Sequence, residues 1–274
     1  MRHTLLVLIV TLAPIGSAAA QEAAEDRGVP TSMFATYIGR RELLVYPFFE
    51  YYRDHDFEYK PEELGFTGDV DFRGRFRAHE RLIFVGYGIT SNLAVEFEVA
   101  SIEATLYKAN DDLSAVPSAV RESGLGDVEG QIRWRWNRDG RRPAQWFSYS
   151  EVVVPHHRDR PLTGTSGWEL KFGTGVNRAL ARGLLTVRGA IQYEGGSSSR
   201  LDLGEYAVEY MLDVSRRWRV YAGLEGTQDE LELITEAQFR LLPHVVMKIN
   251  NGLGLTSKAT DWAPEIGILF SSRR

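Results

Sequence analysis

The feature that most constrains this chain is a two-residue alternation that recurs along most of its length. From Phe66 to Ala78 the even positions are Phe66, Gly68, Val70, Phe72, Gly74, Phe76 and Ala78, and the odd ones are Thr67, Asp69, Asp71, Arg73, Arg75 and Arg77. Successive side chains on a strand point to opposite faces, so this segment reads as one apolar face backed by a charged one. A helix would set Asp71 and Arg75 beside Phe72 and mix the two. The pattern returns in Leu93–Ala100, Val128–Asn137, Trp168–Asn177 and Glu205–Asp213. After residue 30 only Leu113–Arg121 suggests a helix, a short one inside a loop.

Alternating segments number about twelve, near 42–57, 66–89, 93–107, 126–137, 144–155, 167–177, 184–194, 203–214, 218–227, 231–241, 245–255 and 262–272. Short basic connections such as 90–92, 178–183 and 215–217 alternate with generally longer, more polar ones such as 54–65, 108–124 and 155–166. Antiparallel up-and-down neighbours require that rhythm.

A soluble sandwich also has one apolar face. Segment length separates the two cases. Soluble strands average about 5–6 residues, whereas a tilted membrane-spanning strand needs about 9–11. Twelve strands also enclose more space than the eight-strand case that side chains just fill. The expected fold is therefore all-β: a closed antiparallel transmembrane barrel with apolar side chains outward and charges inward, every backbone group satisfied by closure. Trp134, Trp136, Trp146, Trp168, Trp218 and Trp262 sit near strand ends or turns, where an aromatic girdle belongs. Pro47 and Pro264 fall in the first and last strands, so the closing seam should carry bulges or be weak. Segment 66–89 is long for one crossing, and is expected to project beyond the bilayer or to break near His79-Glu80.

Residues 1–20 read as a cleavable secretory signal: Arg2 and His3, an apolar stretch from Leu5 to Ile15, then Ser17-Ala18-Ala19-Ala20 before Gln21. An uncleaved anchor is the alternative, but the run is short of the ~20 residues a spanning helix needs. Residues 21–41 are expected to be an N-terminal periplasmic segment and 42–274 the barrel. Of 274 residues none is Cys, which excludes disulfides and Cys-ligated zinc. The formal charge of −5 lacks the basic footprint of a nucleic-acid binder.

Three short stretches carry a family likeness. Ser123-Gly124-Leu125-Gly126-Asp127 opens a strand, Tyr87-Gly88-Ile89-Thr90-Ser91-Asn92-Leu93 makes a tight turn, and Val152-Val153-Val154-Pro155 ends a strand at a long loop. They resemble the outer-membrane barrels of the MetA-pathway of phenol degradation family, over most of the chain beyond about residue 40. The resemblance implies a barrel of about twelve strands that transports small molecules, aromatic ones included, and brings no catalytic residue. The terminal assembly pattern is partial: Gly267, Ile268, Leu269 and Phe270 fit, but Ser271, Ser272, Arg273 and Arg274 follow.

Chemistry finds little foothold. Ser148 and Ser150 have no His–Asp partnership that spacing supports, so an enzyme is not expected and a membrane lipid hydrolase is the weaker alternative. The glycines from Gly124 to Gly130 lack dinucleotide-loop spacing and precede a strand. Asp54-His55-Asp56 and Asp111-Asp112 offer oxygen ligands for a divalent ion, but acidic loop residues are ordinarily solvated. No metal or cofactor is expected. The functional candidates are the charges assigned to the lumen: Asp71, Arg73, Arg75, Arg77, Glu96, Glu98, Glu129, Arg133, Arg135, Glu169, Lys171, Glu205 and Glu209. They read equally as an ion-pair ladder that stiffens the wall and as a constriction that sorts solutes by charge. The expected role is a narrow passive channel for small molecules, with outer-membrane lipid around it. A plugged barrel without transport is the alternative. Turn length puts both termini in the periplasm; the turn arginines, among them Arg40, Arg41, Arg138, Arg141, Arg142, Arg178, Arg182, Arg216, Arg217, Arg273 and Arg274, follow that side.

Overall fold

The computed structural model describes residues 28–136, 144–156, 160–165, 167–195 and 200–272. Residues 1–20, expected as the secretory signal, and Arg138, Arg141, Arg142, His157, most of the Gly195–Arg200 loop, Arg273 and Arg274 lie outside them.

Two short strands, β1 (Val29–Pro30) and β2 (Tyr37–Ile38), form a hairpin. The barrel follows as β3 (Leu43–Tyr59), β4 (Phe72–Gly88), β5 (Leu93–Tyr107), β6 (Ala119–Arg135), β7 (Ala144–Val154) and β8 (Glu169–Leu180). It continues with β9 (Gly183–Glu194), β10 (Arg200–Asp213), β11 (Trp218–Gly226), β12 (Leu231–Leu242), β13 (Val245–Gly254) and β14 (Ala263–Ser271). Each of these twelve strands pairs antiparallel with its neighbours, and β14 pairs with β3 to close the barrel. No helix occurs among the described residues. The helix expected near Leu113–Arg121 is absent; residues 119–121 instead begin β6, seven residues ahead of the expected start.

One end of the barrel carries tight turns and the other the longer loops; they are called here the turn end and the loop end. The outer surface is an apolar belt. Phe97, Ile132, Phe172, Ile191, Val208 and Ile266 are each about half exposed on it. All six tryptophans point outward: Trp134, Trp136, Trp146 and Trp218 near the turn end, Trp168 and Trp262 near the loop end.

The seam is the thinnest ladder. β14 and β3 share five paired positions, and pairing lapses between Phe48↔Gly267 and Val45↔Phe270, at Pro47. Proline has no N–H to give. Side chains compensate: the Tyr46 hydroxyl donates to Glu265, the Ser271 hydroxyl to Glu42, and the Leu43 N–H to Ser272 Oγ at 2.8 Å.

β4 runs unbroken through His79-Glu80 for 17 residues. Its even positions face the interior along its whole length: Ala78, Leu82 and Phe84 are buried, while Arg73 and Arg81 are exposed. At the loop end Phe72 and Phe76 therefore turn inward. They join Tyr59, Phe57, Leu106, Ala104 and Leu162 in a cluster packed inside the barrel wall, where Phe57 and Phe76 stack at 4.6 Å.

Candidate functional site: the barrel lumen

A twelve-strand barrel leaves an interior that wall side chains alone do not fill. The chain fills the turn end with its own N-terminal stretch. Residues 29–38, part of the 21–41 stretch expected as a periplasmic segment, lie inside the lumen, and Arg40 and Arg41 are exposed at its turn end. Val29 and Ile38 are fully buried against Leu44, Tyr46, Phe84 and Leu269 of the wall. Gly86 and Gly88 of β4 make the approach possible, since a Cβ at either would collide with Ile38 or Gly39. The hairpin turn is held by Thr31 N–H to the Thr36 carbonyl at 2.9 Å, with Ala35 at φ 43°.

Lumen side chains grip this hairpin from several sides. Glu96 on β5 accepts from the Ser32 N–H at 3.1 Å and the Ser32 hydroxyl at 2.8 Å. Arg133 on β6 pairs with Glu96 at 3.6 Å, donates to Gln131 and to the Pro30 carbonyl, and lies over the rings of Phe147 and Tyr149. Asn177 on β8 donates to the Tyr37 hydroxyl at 2.9 Å, and Gln238 on β12 to the Phe34 carbonyl at 3.2 Å. Phe34 rests on Tyr221 at 4.6 Å. Lys248, 1% exposed, pairs with Glu236 at 3.0 Å and faces the rings of Phe34 and Tyr46. The contacts of Glu96, Arg133 and Lys248 are charge-assisted and buried, so leaving one partner unmatched is costly.

Above the hairpin the lumen holds a cavity of about 380 Å³. Phe34, Phe48, Tyr52, Phe84 and Tyr149 line it with rings, and nine carboxylates face it against four bases, Arg133, Lys171, Arg188 and Lys248. The bases are committed. Arg188 reaches Glu209 at 2.6 Å, Glu225 at 2.9 Å and Glu205; Lys171 reaches Glu151 at 2.9 Å and Glu205 at 3.5 Å. Glu50, Glu80, Glu98 and Glu129, from four successive strands, have no base in ion-pair contact among the described residues. Below the hairpin a second cavity of about 510 Å³ opens beside Ala35, Thr36 and Tyr37, with Asp213, Arg219 and Arg240 on its wall.

The expected lumen residues thus divide. Glu96, Glu98, Glu129, Arg133, Arg135, Glu169, Lys171, Glu205 and Glu209 lie on the inner face, as strand parity and their contacts place them. Arg135 sits at the turn end and donates to the Ser91 carbonyl at 3.1 Å. Asp71, Arg73, Arg75 and Arg77 do not belong there. Asp71 precedes β4 and contacts Lys60 at 3.7 Å, and the three arginines project from the outside of β4. The apolar positions of this segment turn inward because it rises past the belt into water, where a packed interior outweighs contact with solvent. Arg188, Lys248, Glu50, Glu80, Glu225, Glu232, Glu236 and Glu265 were not singled out in the sequence, yet share the inward parity of their strands.

The other candidate sites have structural occupations. Ser148 faces outward, accepts from Trp136 Nε1 at 2.8 Å and lies 3.3 Å from Thr174 Oγ1. Asp112 accepts from the Tyr59 hydroxyl and the Ser114 N–H, each at 2.7 Å, and so pins the β5–β6 loop. His55, at the irregularity within β3 rather than in a loop, contacts Asp261 of the β13–β14 loop at 2.6 Å, and that hydrogen bond holds the Asp261 carboxyl below its ordinary value. No group of three metal-ligating side chains occurs among the described residues.

The chain matches no protein-family model and no curated protein sequence. Among solved structures it is similar to an outer membrane channel from Pseudomonas putida F1, with TM-score 0.63 and 12% identity over 85% of this chain and 96% of that one. It is also similar to the translocator domain of the autotransporter NalP from Neisseria meningitidis, with TM-score 0.50 and 12% identity over 85% and 88%. A looser likeness, TM-score 0.43 at 10% identity over 85% and 89%, is to the Ralstonia pickettii toluene transporter TbuX. At these identities the first two likenesses establish the fold and nothing finer: a closed β-barrel of the kind that outer-membrane proteins use.

Proposed function

We propose that the protein is a bacterial outer-membrane barrel, its turn end in the periplasm, that passes small molecules passively and is not an enzyme. The observation that carries this reading is the pair of cavities on either side of the N-terminal hairpin, which makes residues 29–38 the constriction between two solvent-sized spaces. The rings among the carboxylates of the upper cavity suit small solutes with an aromatic portion. With Arg73, Arg75 and Arg77 outside, the excess of carboxylates over bases favours neutral or cationic solutes over anions.

The hairpin itself favours a second reading, a barrel sealed by its own N-terminus. Planar-bilayer conductance separates the two. The intact protein is expected to give small, cation-preferring channels that widen when residues 28–41 are removed. Conductance only after the removal supports the sealed barrel, and none in either form ends the channel reading.

A further inference from the structure

The arginines that leave the lumen assemble a surface of their own. In the pairing register Arg53 on β3 stands directly opposite Arg77 on β4, and Arg77 continues through Thr105 on β5 to Arg121 on β6. Arg75 lies two positions along β4 on the same face, its guanidinium over the Tyr107 ring at 5.2 Å. Strands are about 4.8 Å apart, so Arg77 and Arg121 are about 10 Å apart in the sheet. Like charges directly opposite each other destabilise a ladder, and of the Arg53–Arg77 pair Arg53 is offset by the nearby Asp261 carboxylate. Glu58 contacts Arg73 at 3.5 Å and Glu103 contacts Arg81 at 2.9 Å, while Arg75, Arg77 and Arg121 have no carboxylate in ion-pair contact among the described residues.

The height of this row on the barrel indicates what neutralises it. Arg53 exchanges backbone hydrogen bonds with Trp262, at 3.0 and 3.1 Å, and Trp262 meets Tyr51 edge-on at 5.9 Å in the outward aromatic layer. Arg53 is therefore level with the outward rings at the loop end, and Arg77 and Arg75 stand on β4 beyond the exposed Arg81–Glu103 pair. Below the arginine row comes one further polar step, His79, Arg81 and Glu103, and beneath that the outer surface turns apolar through Leu125, Val128, Phe97 and Ile83. The wall is held rigid from behind by the inward cluster of Phe57, Phe72, Phe76 and Leu106. Guanidinium groups bind phosphate oxygens with a planar two-pronged donor set, and basic groups at a membrane surface attract anionic head groups.

We propose that the outward face of β3–β6 at the loop end is a binding site for a phosphorylated glycolipid of the outer leaflet. Arg53, Arg75, Arg77 and Arg121 hold its phosphates, and its acyl chains lie on the apolar strip beneath. The site rests on the membrane placement of the barrel and is independent of whether the lumen conducts. It is tested by titrating the purified full-length barrel, in zwitterionic detergent, with bisphosphorylated lipid A, fully dephosphorylated lipid A and inorganic phosphate. The phosphorylated lipid is expected to bind at least tenfold more tightly than the dephosphorylated one. R75A/R77A/R121A is expected to lose that advantage, while R216A/R217A at the turn end keeps it. Heat-modifiable gel mobility verifies that each variant is folded; if the alanine variant is not, R75E/R77E/R121E, scored in the same way, carries the comparison. Equal binding of the two lipids overturns the proposal, as does a triple variant that retains the preference. Competition by micromolar inorganic phosphate overturns the lipid assignment too, since it would make the ligand a free anion.

Discussion

The two halves of β4 make the most instructive contrast in the molecule. Near the turn end its outward residues are Ile83, Val85 and Tyr87, and its inward ones, Leu82 and Phe84, are buried; both faces are apolar. Near the loop end its outward residues are Arg73, Arg75 and Arg77, and its inward ones are Phe72 and Phe76. Parity never changes along the strand. On the proposed membrane placement, what changes is the medium outside the wall: hydrocarbon beside Ile83, water and polar head groups beside Arg77. Alternation tells which residues share a face, but the medium decides which face is oily.

The largest effect expected from this contrast is an exchange of outward residues. Ile83→Arg places a charge on the lipid face and is expected to destabilise the barrel by about 2–4 kcal/mol. Arg77→Ile, three steps up the same face, is expected to change stability by less than about 0.5 kcal/mol. Unfolding midpoints in urea with lipid vesicles measure both, and equal costs would abolish the distinction between the halves. Phe76→Ala tests the inward side of the upper half. The residue is half-buried and stacked on Phe57, so the expected loss is about 2 kcal/mol, below the 3–5 kcal/mol of a fully buried Phe. A negligible loss would mean that the upper cluster is not a core.

Pro47, opposite Ile83 in the lower half, sharpens the picture at the seam. Pro47→Val restores an N–H where pairing with β14 lapses and is expected to add about 1 kcal/mol. A shift of the cold-gel unfolding temperature reads it. The smallest effect is at the loop end. Asp261 has a lowered folded-state pKa, so the stability it lends is present above the unfolded carboxylate value and disappears as pH falls through the folded one. For so exposed a pair the effect is under about 1 kcal/mol. Asp261→Asn is expected to remove that slope from stability measured across the acidic range.

Much of the architecture was legible because long strands repeat a simple period: twelve segments, turns and loops in alternation, and inward Glu96, Glu98 and Lys171 all follow from parity. The upper half of β4 was misread because the odd, outward positions change across His79-Glu80-Arg81, from Arg73, Arg75 and Arg77 above to Ile83, Val85 and Tyr87 below, while the even ones on either side stay apolar. In one continuous strand that change marks the edge of a belt. The N-terminal hairpin left no such trace, since strands of two residues have no period to detect. Its place depends on Asn177, Gln238 and Lys248, which lie 140 or more residues from its own turn in sequence and meet it only in the closed barrel.

That dispersion bears on how the molecule is made. The hairpin emerges from synthesis ahead of every strand it touches, yet its contacts on β5, β6, β8, β12 and β13 exist together only after most of the wall has assembled. The earliest segment is thus the last to settle, and protection of Val29 and Ile38 from hydrogen exchange would time the completion of the whole barrel.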